Sequence, residues 1–175
     1  MKQRLSLETT WRHEWVPEFV GTLLFVVHNE QVLLIHKKTG HGAGRINGPG
    51  GKLEPGESVV DCAVRETKEE VGLDVSGARC VLEMRFVEQQ GPQWLGFACI
   101  ADEFFGVPEE TAEARPFWCR LSGIPYARMW PDDAIWLPEI LGADIQTPKV
   151  ADFLFRRGDL LDYRWRDVPS IADRF

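Results

Sequence analysis

A chain of 175 residues, 44% hydrophobic and 27% charged, is long enough to bury one good core and short enough to be one domain. Its net charge of −7 argues against an electrostatic grip on duplex nucleic acid or an anionic membrane, though not against a small nucleotide whose charge is carried by bound metal. No apolar run reaches transmembrane length and the opening MKQRLSLETTWRHEW has no hydrophobic signal segment, so the expectation is a cytoplasmic protein.

Residues 1–16 read as an arm, pinned to the domain by Trp11 and Trp15, four apart. Residues 19–27 (FVGTLLFVV) and 31–37 (QVLLIHK) read as buried strands of a hairpin. The glycine-rich run 39–51 follows, TGHGAGRINGPGG. It fails G-x-x-x-x-G-K-[ST], because Leu53 follows Gly51-Lys52 and Ile46 stands where the first Gly belongs. It also fails G-x-G-x-x-G, because Asn47 stands three residues after Gly44. These glycines let the backbone wrap closely around a ligand or a metal.

A helix is expected next. Ser58 and Asp61 form an S-x-x-D start, and Gly72 is a natural left-handed stop after Val71. At 100° per residue, Val60, Ala63, Val64, Thr67 and Val71 make the core-facing stripe. Beyond the helix, residues 80–88 and 94–102 read as strands and 102–114 as an acidic irregular loop. Residues 117–121 read as a short strand and 122–126 as a turn. A helix near Ala134 would be capped by Asp132 or Asp133 and disturbed by Pro138. A final hairpin pairs 150–156 with 160–166 across Arg157-Gly158-Asp159. Cys62, Cys80, Cys99 and Cys119 lack C-x-x-C spacing, and His13, His28, His36 and His41 show no ligand pairing. Free thiols are therefore expected, without zinc.

Glu66, Glu69 and Glu70 share one arc of the first long helix. Like charges at these spacings cost an isolated helix about 0.2–0.5 kcal/mol per pair, and the helix dipole disfavours them near its C-terminus. One reading is a solvated acidic face. The other is a site for a hard divalent cation, which takes oxygen ligands without His or Cys.

The neighbouring residues favour the second reading. Gly51, Glu57, Arg65, Glu66, Glu69, Glu70, Gly72 and apolar Leu73 reproduce the pattern G-x5-E-x7-R-E-U-x-E-E-x-G-U, with Thr67 in place of the usual aliphatic residue. Seven fixed residue types at about 5% usage make a chance match on the order of one in a billion. This resembles the Nudix box. Residues 37–52, 113–138 and 160–165 extend the resemblance to the branch that hydrolyses oxidised purine nucleoside triphosphates such as 8-oxo-dGTP.

The resemblance implies an α/β fold: a Nudix-type α/β/α sandwich with a mixed sheet and the Nudix loop and helix on one side, in a single domain over 17–175. It implies Mg²⁺, with Mn²⁺ possible, on the Gly50 carbonyl, Glu66, Glu69, Glu70 and Glu113, although Glu109 and Glu110 share the Glu113 loop. These four carboxylates are the catalytic candidates, any of which could serve as general base. Glu57 and Arg65 are the structural brace. Asn47, Asp132 and Asp133 would read the base between Trp130 and Trp136, with Phe86, Thr22 and Lys37 lining the pocket. His41 and Trp94 stand where Phe and Met are usual.

The implied reaction releases a nucleoside monophosphate and pyrophosphate from a small-molecule nucleotide, on a monomer that uses neither duplex nucleic acid nor membrane. The alternative is a nucleoside diphosphate-linked or alkylated purine substrate. Two adjacent acids in an aromatic pocket can share one proton, and so can face either a guanine-type or an adenine-type edge.

Overall fold

Strand β1 (Phe19–His28) lies between two cores. Leu23, Phe25 and Val27 enter one, while Val20, Leu24 and Val26 enter the other. A strand buried on both faces reads as one apolar run, which is why residues 19–27 stood out in the sequence. The computed structural model describes residues 6–10, 15–142 and 147–171.

The remaining elements follow in chain order. They are α1 (Leu7–Thr10), β2 (Gln31–Lys37), β3 (Ile46–Asn47), α2 (Val59–Val71), β4 (Asp74–Ser76), β5 (Arg79–Glu88), β6 (Trp94–Ala101), β7 (Glu103–Phe105), β8 (Ala114–Arg120), α3 (Asp133–Leu141), β9 (Lys149–Arg156) and β10 (Asp159–Asp167). The large sheet runs β10-β9-β5-β6-β1-β2-β3, with β8 on the β2 edge. Pairs β1/β6 and β5/β9 are parallel and the others antiparallel, so the sheet is mixed. Helix α2 packs on one face through Val59, Ala63 and Val71. Helix α3 packs on the other through Trp136, Leu137 and Ile140. The result is the expected α/β/α sandwich. Among the described residues no helix is long and apolar enough to cross a membrane.

Helix α2 starts and stops as its sequence indicates. Ser58 Oγ accepts from Asp61 N at 3.1 Å, and Gly72 takes φ +76°. The Thr67 hydroxyl donates to Ala63 O at 2.8 Å, which satisfies it inside the core. The buried stripe is rotated from the expected one. Val59, Cys62, Ala63, Thr67, Glu70 and Val71 are buried, while Val60 and Val64 are only partly so. Glu70 turns inward because partners on β2 and the preceding loop meet its charge, which an apolar count cannot anticipate.

Four other expectations change. The acidic stretch after β6 holds β7, paired with β4 in a small separate sheet. Strand β8 begins at Ala114, with Pro116 opposite Ile35. Among the described residues it pairs only with β2, and a strand edge tolerates a residue without an N–H. Asp132 makes no capping bond to α3, since its carboxylate is taken by Trp136. In the β1–β2 hairpin only Val27↔Val32 and His28↔Gln31 pair, because most of β1 pairs with β6.

At the N-terminus, Trp11 lies outside the described residues. Trp15 is partly buried, and its Nε1 donates to Gln93 Oε1 at 2.9 Å. Leu7 adds an unforeseen anchor, buried against Val87 and Leu154. The four cysteines are free thiols.

Candidate active site

The glycine-rich segment behaves as a pseudo-strand along the edge of β1. Thr22 N donates to Gly51 O, and Leu24 N to Pro49 O, both at 2.8 Å; Leu53 N donates to Val20 O at 3.1 Å. Such closeness requires glycine. A Cβ on Gly50 would overlap the Thr22 carbonyl, and one on Gly51 would overlap the Glu66 carboxyl. Gly51→Ala is therefore expected to cost about 1–3 kcal/mol of stability through overpacking, read from chemical denaturation. Gly123→Ala, where a Cβ meets open space, is the near-neutral control.

Arg65 ties this loop to α2. Its Nε and one terminal nitrogen grip Glu57 bidentately at 2.7 and 2.9 Å, and the latter nitrogen also donates to Lys52 O at 3.2 Å. Its other terminal nitrogen meets Glu66 at 2.9 Å and Glu69 at 3.1 Å. Hydrogen bonding from Arg65 holds the Glu57 carboxyl down at about 2. The pair is a forked brace between loop and helix.

The three helix carboxylates differ in environment. Glu70 is 1% exposed, with Lys37 Nζ at 2.5 Å on one oxygen and Gly50 N donating to the other at 3.0 Å. Glu66 is half-buried, and burial raises its carboxyl above the usual range against the pull of Arg65. Glu69 is 58% exposed. Lys37 draws Glu70 one way and Arg65 draws Glu66 and Glu69 the other. Among the described residues no three metal-capable side chains converge in this conformation. The donors are nonetheless all oxygens of a kind that suits Mg²⁺ or Mn²⁺, and the crowding of carboxylates around Glu66 is what a divalent cation would relieve. Of the three acids in the loop before β8, Glu113 lines the cleft. Glu110 pairs with Lys38 at 2.7 Å, and the Glu109 N–H donates to Val71 O at 2.9 Å.

One cleft of about 590 Å³ connects this region to a second chemical environment. There Asp132 and Asp133 are 3% and 2% exposed. Trp136 Nε1 donates to Asp132 Oδ2, and Trp130 N to Asp133 Oδ2, both at 2.8 Å. Burial pushes the Asp132 carboxyl to about 6, against the Trp136 hydrogen bond, its own backbone N–H and Arg45. Burial and the Asp132 charge push Asp133 to about 8. Both carboxyls thus hold a proton more readily than a free aspartate does, because both are desolvated and each repels the other's charge. Nearby, His41 stacks between Trp94 and Trp130, with centroids 4.7 and 5.3 Å away. Burial, then Lys52 and Lys37, hold its imidazole below the ordinary range.

Thr22, Lys37, His41, Asn47, Gly50, Glu66, Glu70, Phe86, Trp94, Glu113, Trp130, Asp132, Asp133 and Trp136 all line this cleft. Glu69 does not; it is largely exposed and pairs with Arg65. Many other lining residues were not foreseen, Met84 and Lys52 among them. Met84 is two positions before Phe86 on β5, so strand alternation could have found it. Lys52 reaches over the Phe19 ring at 4.0 Å and the Trp94 ring at 5.5 Å, and no local signal announces that.

The family model described as NUDIX domain matches residues 18–140. The "Oxidized purine nucleoside triphosphate hydrolase" of Mus musculus is 41% identical over 152 residues, covering 85% of this chain and 95% of that protein. The protein of the same name from Danio rerio is 42% identical over 122 residues, covering 69% and 78%. Among solved structures, the mutator MutT protein from Bacillus halodurans superposes with a TM-score of 0.73 at 27% identity, covering 84% of this chain and 97% of that one.

Proposed function

The chain belongs to the Nudix hydrolases, and from that premise we propose that it hydrolyses oxidised purine (deoxy)nucleoside triphosphates such as 8-oxo-dGTP to the monophosphate and pyrophosphate. The observation that carries this reading is the continuous cleft. It joins Glu66, Glu70 and Glu113 to a buried acid pair among aromatic rings. One molecule with a polyphosphate at one end and a flat hydrogen-bonding base at the other matches both regions. The names of the Mus musculus and Danio rerio relatives point the same way.

In this reading Glu66, Glu69, Glu70, Glu113 and the Gly50 carbonyl hold Mg²⁺ or Mn²⁺. When bound, the ion neutralises phosphate oxygens and supplies an acidified water. Lys37, already within 2.5 Å of Glu70, adds positive charge beside the phosphates. A carboxylate of this group takes the proton of the attacking water. At the other end, an ionised member of the Asp132–Asp133 pair accepts from the N–H groups of a guanine-type edge. A protonated member offers the donor that an adenine-type edge needs. Asn47 adds an amide to the same rim.

The test is a product and specificity panel with 8-oxo-dGTP, an oxidised dATP, an O6-alkylated dGTP and unmodified dGTP. The expected result is stoichiometric pyrophosphate and monophosphate. For the oxidised nucleotides kcat/KM should be about 10- to 200-fold above dGTP, the range a shaped pocket achieves for small substituents. Release of orthophosphate would overturn the reaction, and a preference for alkylated or unmodified purines would overturn the substrate.

A further inference from the structure

We propose that His41 is a gate: its imidazole holds the slot between Trp94 and Trp130 that receives the substrate's purine, and it swings out on a glycine hinge when the base enters. This rests on the reading of the substrate as a purine nucleotide.

The Arg45 guanidinium packs over Trp130, 4.2 Å from the ring, and is fixed there by a bond to Met129 O at 2.9 Å. Trp94 meets the Phe19 ring at 4.7 Å, and Lys52 reaches over both of those rings. His41 stacks on both tryptophans, 23° from the plane of Trp94 and 15° from that of Trp130. A gap that holds one flat ring in stacking contact holds a purine or the imidazole, not both. The slot opens into the cleft that Asn47, Asp132 and Asp133 line, so a base stacked there has its polar edge within the same cavity.

The loop is built to move at its tip. Gly40, Gly42 and Gly44 take φ of +71°, +81° and +86°, bracketing His41 with residues free of side-chain constraint. The stem is fixed, since Gly44 N donates to Lys37 O at 2.8 Å and Lys37 N to Arg45 O at 3.0 Å. His41 itself remains exposed at its edge. The Trp94 indole N–H is buried without an acceptor among the described residues, an arrangement that carries a cost.

A gate makes the chain compete with its own ligand, so apparent affinity is reduced by the fraction of time the slot is open. The experiment measures binding alone, with 8-oxo-dGMP as the probe, by tryptophan emission and by calorimetry. His41→Ala is expected to bind about three- to tenfold tighter than the wild type, and its free-state emission should change as the imidazole leaves the two indoles. His41→Phe keeps a flat ring in the slot, and should bind no tighter than the wild type. Weaker binding by His41→Ala would make His41 a wall that supports the base and overturn the gate, with the purine reading intact. Absence of purine nucleotide binding by every form would overturn the purine reading and the gate together.

Discussion

Glu70→Gln is expected to lower kcat/KM for the triphosphate by about 10²- to 10³-fold, and Glu69→Gln by a similar factor. A carboxylate that holds a divalent cation supports several kcal/mol of transition-state charge stabilisation, and about 1.4 kcal/mol corresponds to a factor of ten. The two variants separate catalysis from folding. Glu69 is 58% exposed and its contact with Arg65 is a surface pair, so the amide should leave thermal stability unchanged. Glu70 is 1% exposed and bridges Lys37 and Gly50 N, so its amide also weakens the junction between β2, the glycine loop and α2. Steady-state kinetics and a thermal melt on both variants provide the check. Full activity in Glu69→Gln would remove that residue from the metal site. If activity in Glu70→Gln fell only as far as its stability, its role would be structural.

The Asp132–Asp133 pair should carry the second large effect, with a dependence on pH. Asp132→Asn replaces an anionic acceptor with a neutral amide that still satisfies Trp136 Nε1. Losing a hydrogen bond to a charged group is worth about 1.5–3 kcal/mol, so kcat/KM for a guanine-type substrate should fall roughly 10- to 150-fold. The Mg²⁺ midpoint should not move. A shifted midpoint with unchanged base preference would exclude the pair from base recognition.

Asp133→Asn tests the proton. An unfolded aspartate titrates near 3.9, whereas the buried Asp133 is pushed to about 8. Between those values the folded chain holds the extra proton. The protonated carboxyl therefore supports folding below about pH 4, and that support is lost as pH rises through about 8. The slope is at most about 1.4 kcal/mol per pH unit for one proton. The Asn variant, which cannot ionise, should gain stability relative to the wild type in urea melts run from pH 5 to pH 9. Parallel stability curves would show that Asp133 does not titrate in this range.

What could be read from the sequence divides along the range of the forces involved. Local signals sufficed for α2: Ser58 caps it and Gly72 ends it. Apolar runs located β1, β2, β5 and β6 nearly to the residue, since burial on both faces leaves little else for those side chains to be. The spacing from Gly51 to Leu73 determined the family, because Arg65 must reach Glu57, Gly51 must lie against the Glu66 carboxyl and Gly72 must take the left-handed turn that ends α2. Helical geometry placed Glu66, Glu69 and Glu70 on one arc.

It could not say what faced that arc. Only the tertiary structure sends Glu70 inward to Lys37 and leaves Glu69 in solvent on Arg65. Only the folded sheet makes Glu113, rather than Glu109 or Glu110, line the cleft. Asn47, His41, Trp94 and Trp130 are scattered along the chain, yet they share one cavity because β1 pairs with β6 and α3 closes the opposite face. The desolvation that raises Asp132 and Asp133 is likewise a sum over neighbours from distant segments. Local propensity fixes elements within a few residues, whereas a site's charge and shape come from contacts that only the whole fold brings together.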